Sequence, residues 1–171
     1  FAEIGDGQNV GKTLNNVADS LIKLGHYDEA RREIDCAIEC MKPFGHAAEP
    51  WKTFDILHDL ELAVGNPDEA EQARGRAIEA FRAYRRDGGE NLFPGGRLIA
   101  AVGQAIAAGQ TEEVEATLAQ IAEQDGLPEY MQALVPVLQR LLAGARDLKP
   151  TSEPGLFYSD VVELEILLAS L

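Results

Sequence analysis

Asp6-Gly7-Gln8-Asn9-Val10-Gly11-Lys12-Thr13 ends in the Gly-Lys-Thr of a phosphate-binding loop. Such a loop needs a glycine, four residues and then Gly-Lys-Ser/Thr, so that backbone N–H groups converge on phosphate. Here Asp6 stands where the first glycine belongs, its charge repels phosphate, and no strand precedes it. Lys12-Thr13 also recurs as Lys52-Thr53 with no glycine loop, so the segment reads as a helix-starting turn. Cys36 and Cys40 lie four apart on one helix, with His46 and His58 downstream. Zinc needs a closed set of four ligands, which that spacing does not supply, and a disulfide across one helical turn is strained. Both cysteines are therefore expected as small buried hydrophobes. Asp55-Ile56-Leu57-His58 puts a carboxylate and an imidazole on one face, but a di-iron bundle needs Glu-x-x-His twice plus further carboxylates. Ser20-Leu21-Ile22-Lys23 matches Ser-x-x-Lys without the companion motifs of the acyl enzymes. With no complete catalytic set, the chain reads as a non-enzyme with neither cofactor nor metal.

Composition narrows the partners. The 171 residues carry 15 Lys and Arg against 29 Asp and Glu, a formal charge of −14. Nucleic acid and anionic membrane both call for a positive surface, so neither is expected as a main partner. A hydrophobic content of 46% is that of a folded protein. No run of about 18 apolar residues is available to cross a bilayer. Two cysteines point to a reducing compartment, and the expected location is cytoplasmic. The chain opens on Phe1 with no signal-peptide pattern and reads as part of something longer.

The elements that must carry these residues repeat. Leu24-Gly25-His26-Tyr27-Asp28-Glu29-Ala30 matches Val64-Gly65-Asn66-Pro67-Asp68-Glu69-Ala70 at an offset of 40 residues. Ala37-Ile38-Glu39 falls on Ala77-Ile78-Glu79 in the same register, and no gap is needed between residues 1 and 84. Gly109-Gln110-Thr111-Glu112-Glu113-Val114 is a weaker third copy. Each unit reads as two helices. Leu14, Val17, Ala18, Leu21 and Ile22 form an amphipathic stripe, and Gly25 stops the first helix in a left-handed conformation. Asp28 and Glu29 open the second, whose buried side carries Ala30, Ile34, Ala37, Ile38 and Met41. The pattern predicts helices near 9–24, 27–42, 49–64, 67–87, 96–108, 111–124, 128–144 and 158–170: an all-α chain of about eight helices in four antiparallel pairs. A break falls between Asp87 and Gly96, with Leu92-Phe93 as an apolar anchor. Pro136 should kink or split the seventh helix, and Ser159 or Asp160 should cap the last.

Leu14-Asn15-Asn16-Val17-Ala18, followed by Leu21, Gly25, Tyr27, Ala30 and Ala37, resembles the tetratricopeptide repeat. The resemblance is to its long variety, with units of about forty residues instead of about 34, as in kinesin light chains and bacterial STAND and CHAT multidomain proteins. It covers 11–44 and 51–84 well and 95–125 weakly. It implies a right-handed α-solenoid of antiparallel helix pairs: a remnant of a preceding repeat at 1–8, repeats at 9–45 and 46–94, a divergent repeat at 95–125, and capping helices at 126–171. It also implies a concave groove presenting Lys12, Asn15, Asn16, Asp19 and Ile22, then Lys52, Asp55, Ile56, Asp59 and Leu62. In the long-repeat family an asparagine at the Asn16 position bonds an extended peptide, but its counterpart in the second repeat is Ile56. Family members that grip a chaperone's C-terminal carboxylate have Lys where this chain has Asn15 and Asn where it has Asp19. These departures disfavour an acidic tail, and the aspartates favour a neutral or basic peptide.

Two further features bear on partners. Arg74, Arg76, Arg82, Arg85 and Arg86 concentrate positive charge on the fourth helix, as a solvated face or a patch for an acidic neighbour. The last helix, rich in Val161, Val162, Leu164, Ile166, Leu167, Leu168 and Leu171, is expected to pack under the seventh; exposed terminal faces could instead drive self-association. The expected role is a protein–protein interaction scaffold. The alternative is a regulatory or sensor arm that docks on an NTPase or protease domain of the parent protein.

Overall fold

The computed structural model describes the backbone from Ala2 to Leu171, with side chains from residue 7 onward except Gln8. Phe1 lies outside the described residues, as do the side chains of the other residues assigned to a preceding repeat at its start. Among the described residues there are eight α-helices and no strand. They are α1 (Ala2–Lys23), α2 (Tyr27–Met41), α3 (Pro50–Ala63), α4 (Pro67–Arg86), α5 (Pro94–Ala108), α6 (Glu112–Ala122), α7 (Glu129–Leu142) and α8 (Tyr158–Ser170). A 3-10 segment, Lys42–Ala48, joins α2 to α3. No described helix is long and apolar enough to cross a membrane.

The chain divides into two compact units, 1–88 and 89–171, within the break expected between Asp87 and Gly96. In the first unit α1 packs along α2 and α3 along α4, while α2 and α1 both touch α3. The forty-residue offset holds at the level of single hydrogen bonds. Gly25 at φ 78° donates to the Ile22 carbonyl and His26 to that of Leu21. Gly65 at φ 82° donates to Leu62 and Asn66 to Glu61, atom for atom the same arrangement. Each closes the helix end through a left-handed residue, where glycine carries no Cβ penalty. Ala30 and Ala70 then donate to the His26 and Asn66 carbonyls that open the next helix. One core binds the copies together: Ala18, Ala30 and Ile34 of the first hairpin are fully buried with Leu60 of the second.

Helix α1 starts at Ala2, earlier than the predicted 9, so residues 6–13 lie inside it rather than in a helix-starting turn, with Gly7 and Gly11 in its body. A Cβ on Gly11 would come within 2.5 Å of the Met41 side chain, and one on Gly7 within 3.0 Å of the Phe44 ring. Gly11 thus allows close packing of α1 against the end of α2, and Gly7 against the 3-10 segment.

The second unit departs from sequential pairing. Helix α5 packs mainly on α8, and α6 on α7. The last helix thus lies chiefly against α5, not under the seventh. Gly103 makes room for this, since a Cβ there would strike Leu167 at 2.7 Å. Pro136 does not split α7, which runs unbroken around it with the proline exposed. The N-cap of α8 is Phe157; Ser159 and Asp160 lie within its first turn and are buried. Of the expected anchor only Phe93 packs, edge-on to Phe157 and Tyr158, whereas Leu92 is 69% exposed.

Candidate binding face of the first unit

The predicted groove residues lie on α1 and α3, and the structure sorts them into three groups. Lys12 and Lys52 converge on one carboxylate, with Nζ atoms 3.6 and 2.7 Å from Glu49. Glu49 sits at the N-cap of α3 in a left-handed conformation, φ 53°. This cationic end is thus partly neutralised.

Asn15 belongs to the packing rather than to an open groove. It is 7% exposed and donates from Nδ2 to the Thr53 hydroxyl at 2.9 Å, joining α1 to α3. Thr53 in turn contacts the Met41 sulfur at 3.5 Å. The Lys-Thr recurrence therefore places a threonine at a helix–helix contact in the second copy, while Thr13 only back-bonds to the Asn9 carbonyl.

The third group is an acidic strip. Asn16 is exposed, Asp19 is held by Lys23 at 2.6 Å, and Asp59 and Asp55 follow on α3. Burial raises the Asp55 carboxyl to about 7, the charge of Asp59 adds to that, and Arg74 opposes it. Asp59 keeps part of its surface in water, yet packing around its carboxyl raises it too; Asp19 adds to the shift, against His58 and Lys23. Mutual repulsion makes the strip receptive to an added positive charge. Ile22, Ile56 and Leu62 supply apolar surface, Leu62 at 54% exposure.

The motifs weighed for catalysis do not assemble. His58 donates from Nδ1 to the Ala70 carbonyl at 2.9 Å, tying α3 to α4, and no described hydrogen bond links it to Asp55. Ser20 back-bonds to Asn16 while Lys23 holds Asp19. Among the described residues no cluster of three His, Cys, Asp or Glu could hold a metal. Cys36 is exposed and Cys40 half-buried, so neither is the core hydrophobe expected: on α2 the buried positions go to Ala30, Ile34, Ala37 and Met41. His46 pairs with Asp87 at 2.9 Å and lies edge-on to Tyr84. The arginines of α4 are dispersed: Arg74 and Arg82 pair with glutamates one turn earlier, and Arg76 stacks over Phe54.

One element that repeat spacing does not reveal is an ion pair between the hairpins, buried at its glutamate end and partly exposed at its arginine. Glu61, 4% exposed, accepts both guanidinium arms of Arg31 from α2 and a third hydrogen bond from Asn66. The Arg31 bonds hold its carboxyl below the usual glutamate range, burial works against them, and Asn66 assists. The only sequence signal is a glutamate at a position on the inner face of α3. Comparisons with protein families, curated proteins and solved structures return no match for the chain.

Proposed function

We propose that this chain is a non-enzymatic interaction module, and that residues 9–84 are two units of a tetratricopeptide-like, right-handed superhelix. Its first helices, α1 and α3, form the floor on which an extended peptide or protein segment lies. The observation that supports this most is that equivalent hairpins, closed by the same hydrogen bonds, pack side by side with α1 against α3. Such stacking builds one continuous surface from repeated strips. The strip bears Asn16 for backbone contacts, Asp19 and Asp59 for charge, and Ile22, Ile56 and Leu62 for side chains. Its desolvated carboxylates favour a neutral or basic ligand.

The test is fluorescence anisotropy with labelled peptides of matched length that carry net positive, zero or negative charge. The positive peptides should bind best and weaken as salt is raised. Changing Asp19 and Asp59 together to Asn should weaken them about tenfold and leave neutral peptides nearly unaffected. Binding that ignores peptide charge, or survives both substitutions unchanged, would remove the strip from the reading.

A further inference from the structure

Away from the acidic strip, the first unit holds a cavity of about 250 Å³ lined by Ile38, Met41, Lys42, Gly45, Pro50, Thr53, Phe54 and Arg76. The end of α2, the following 3-10 segment, the start of α3 and one residue of α4 line it, and it stays open to solvent on one side. Ile38, Met41, Pro50 and Phe54 give it apolar walls. Its charged lining residues, Arg76 and Lys42, are both cations, in a chain with almost twice as many acids as bases. The Arg76 guanidinium lies 4.0 Å from the Phe54 ring centroid, a stacked position that leaves its edge for hydrogen bonding. Lys42 is engaged by Glu39, through an exposed ion pair at 2.9 Å of the kind that contributes little and exchanges readily.

We propose that this cavity binds a small free organic anion, an apolar body ending in a single carboxylate. The volume holds roughly eight waters' worth of space, enough for a short alkyl chain or one aromatic ring. Apolar walls with a few placed polar groups at the mouth are the general form of a small-molecule site. A carboxylate, planar and singly charged, matches the fork of Arg76, which alone balances its charge, whereas a doubly charged phosphate would have to draw Lys42 away from Glu39 to be balanced. The lining shares no residue with the acidic strip, so the site stands independently of peptide binding.

The experiment is a titration of the ¹⁵N-labelled chain with octanoate, and separately with octanol, following the backbone amides of Gly45, Thr53 and Arg76. Octanoate should shift these amides saturably in the millimolar range or below, and octanol should bind about tenfold more weakly. Arg76→Gln, an exposed substitution that should leave the helical circular dichroism unchanged, should weaken octanoate about tenfold and octanol hardly at all. Equal affinity for acid and alcohol would overturn the proposal, as would octanoate binding indifferent to Arg76→Gln or the absence of a saturable shift. A cavity that takes acetyl-Gly-Gly-Leu through its free C-terminus but refuses octanoate would overturn the assignment to a free small molecule.

Discussion

Glu61 shows how far a single side chain can be committed. A buried carboxylate is tolerable only when its oxygens are satisfied, and Arg31 with Asn66 fills that role. Arg31→Met should therefore cost more than an ordinary surface change, about 2 kcal/mol in urea unfolding, because it leaves Glu61 buried with a single weaker partner. The lowered Glu61 pKa means its share of stability is present above the usual glutamate range and fades as pH falls through it. Asp160 has the opposite sign. It is 1% exposed against Gly95, where a Cβ would overlap its carboxylate, and neither of its oxygens has a hydrogen-bond partner among the described residues. Burial raises it to about 7 and Glu163 adds to this; Ser159 opposes the shift without completing a well-formed bond. The folded chain then holds that proton more tightly than the unfolded one, so stability declines as pH rises from about 4 toward 7. Asp160→Asn should flatten that slope and raise the melting temperature at pH 8 by about 4 °C or more, with little change at pH 4.5; a parallel slope in the variant would exclude Asp160 as its source.

At the scale of elements, the two turns closed by Gly25 and Gly65 offer a matched pair. Both glycines sit at nearly the same positive φ, and a Cβ at either would stand in open space with no atom within 4 Å, so alanine meets only backbone strain. Gly25→Ala and Gly65→Ala should each cost about 1 kcal/mol and cost the same, as measured by chemical unfolding; a large inequality would mean that the turns are not equivalent. Gly11→Ala should be worse than either in crowding, since Met41 must move. Helix positions and the first hairpins are legible in the sequence because periodicity and left-handed glycines are local signals. What stays hidden there is which helix meets which. Nothing in the spacing of Asn15 and Thr53, or of Arg31 and Glu61, marks them as partners, because a helical stripe identifies a face and not its neighbour. The same blindness hides the pairing of α5 with α8, and it puts Cys36 inside although the small positions of α2 are already taken by alanines. The candidate site is legible in part: the aspartates lie on one strip, but Asn15, expected to line the groove, serves the packing instead.

At the scale of the whole molecule, the chain is two units of different construction. The first repeats one hairpin; the second pairs its helices out of sequence order. The stretch between them, from Asp87 to Leu92, is largely exposed, and limited proteolysis should cut there before it cuts within either unit, giving two protected fragments on a gel. The reading of the first unit as a binding scaffold rests on its two hairpins sharing a core. The most direct check is a methyl NOESY spectrum of the intact chain. Cross-peaks should connect the Leu60 methyls to those of Ala18 and Ile34. Leu60 methyls that reach only residues of α3 and α4 would contradict the shared core and, with it, the continuous surface proposed to bind a peptide.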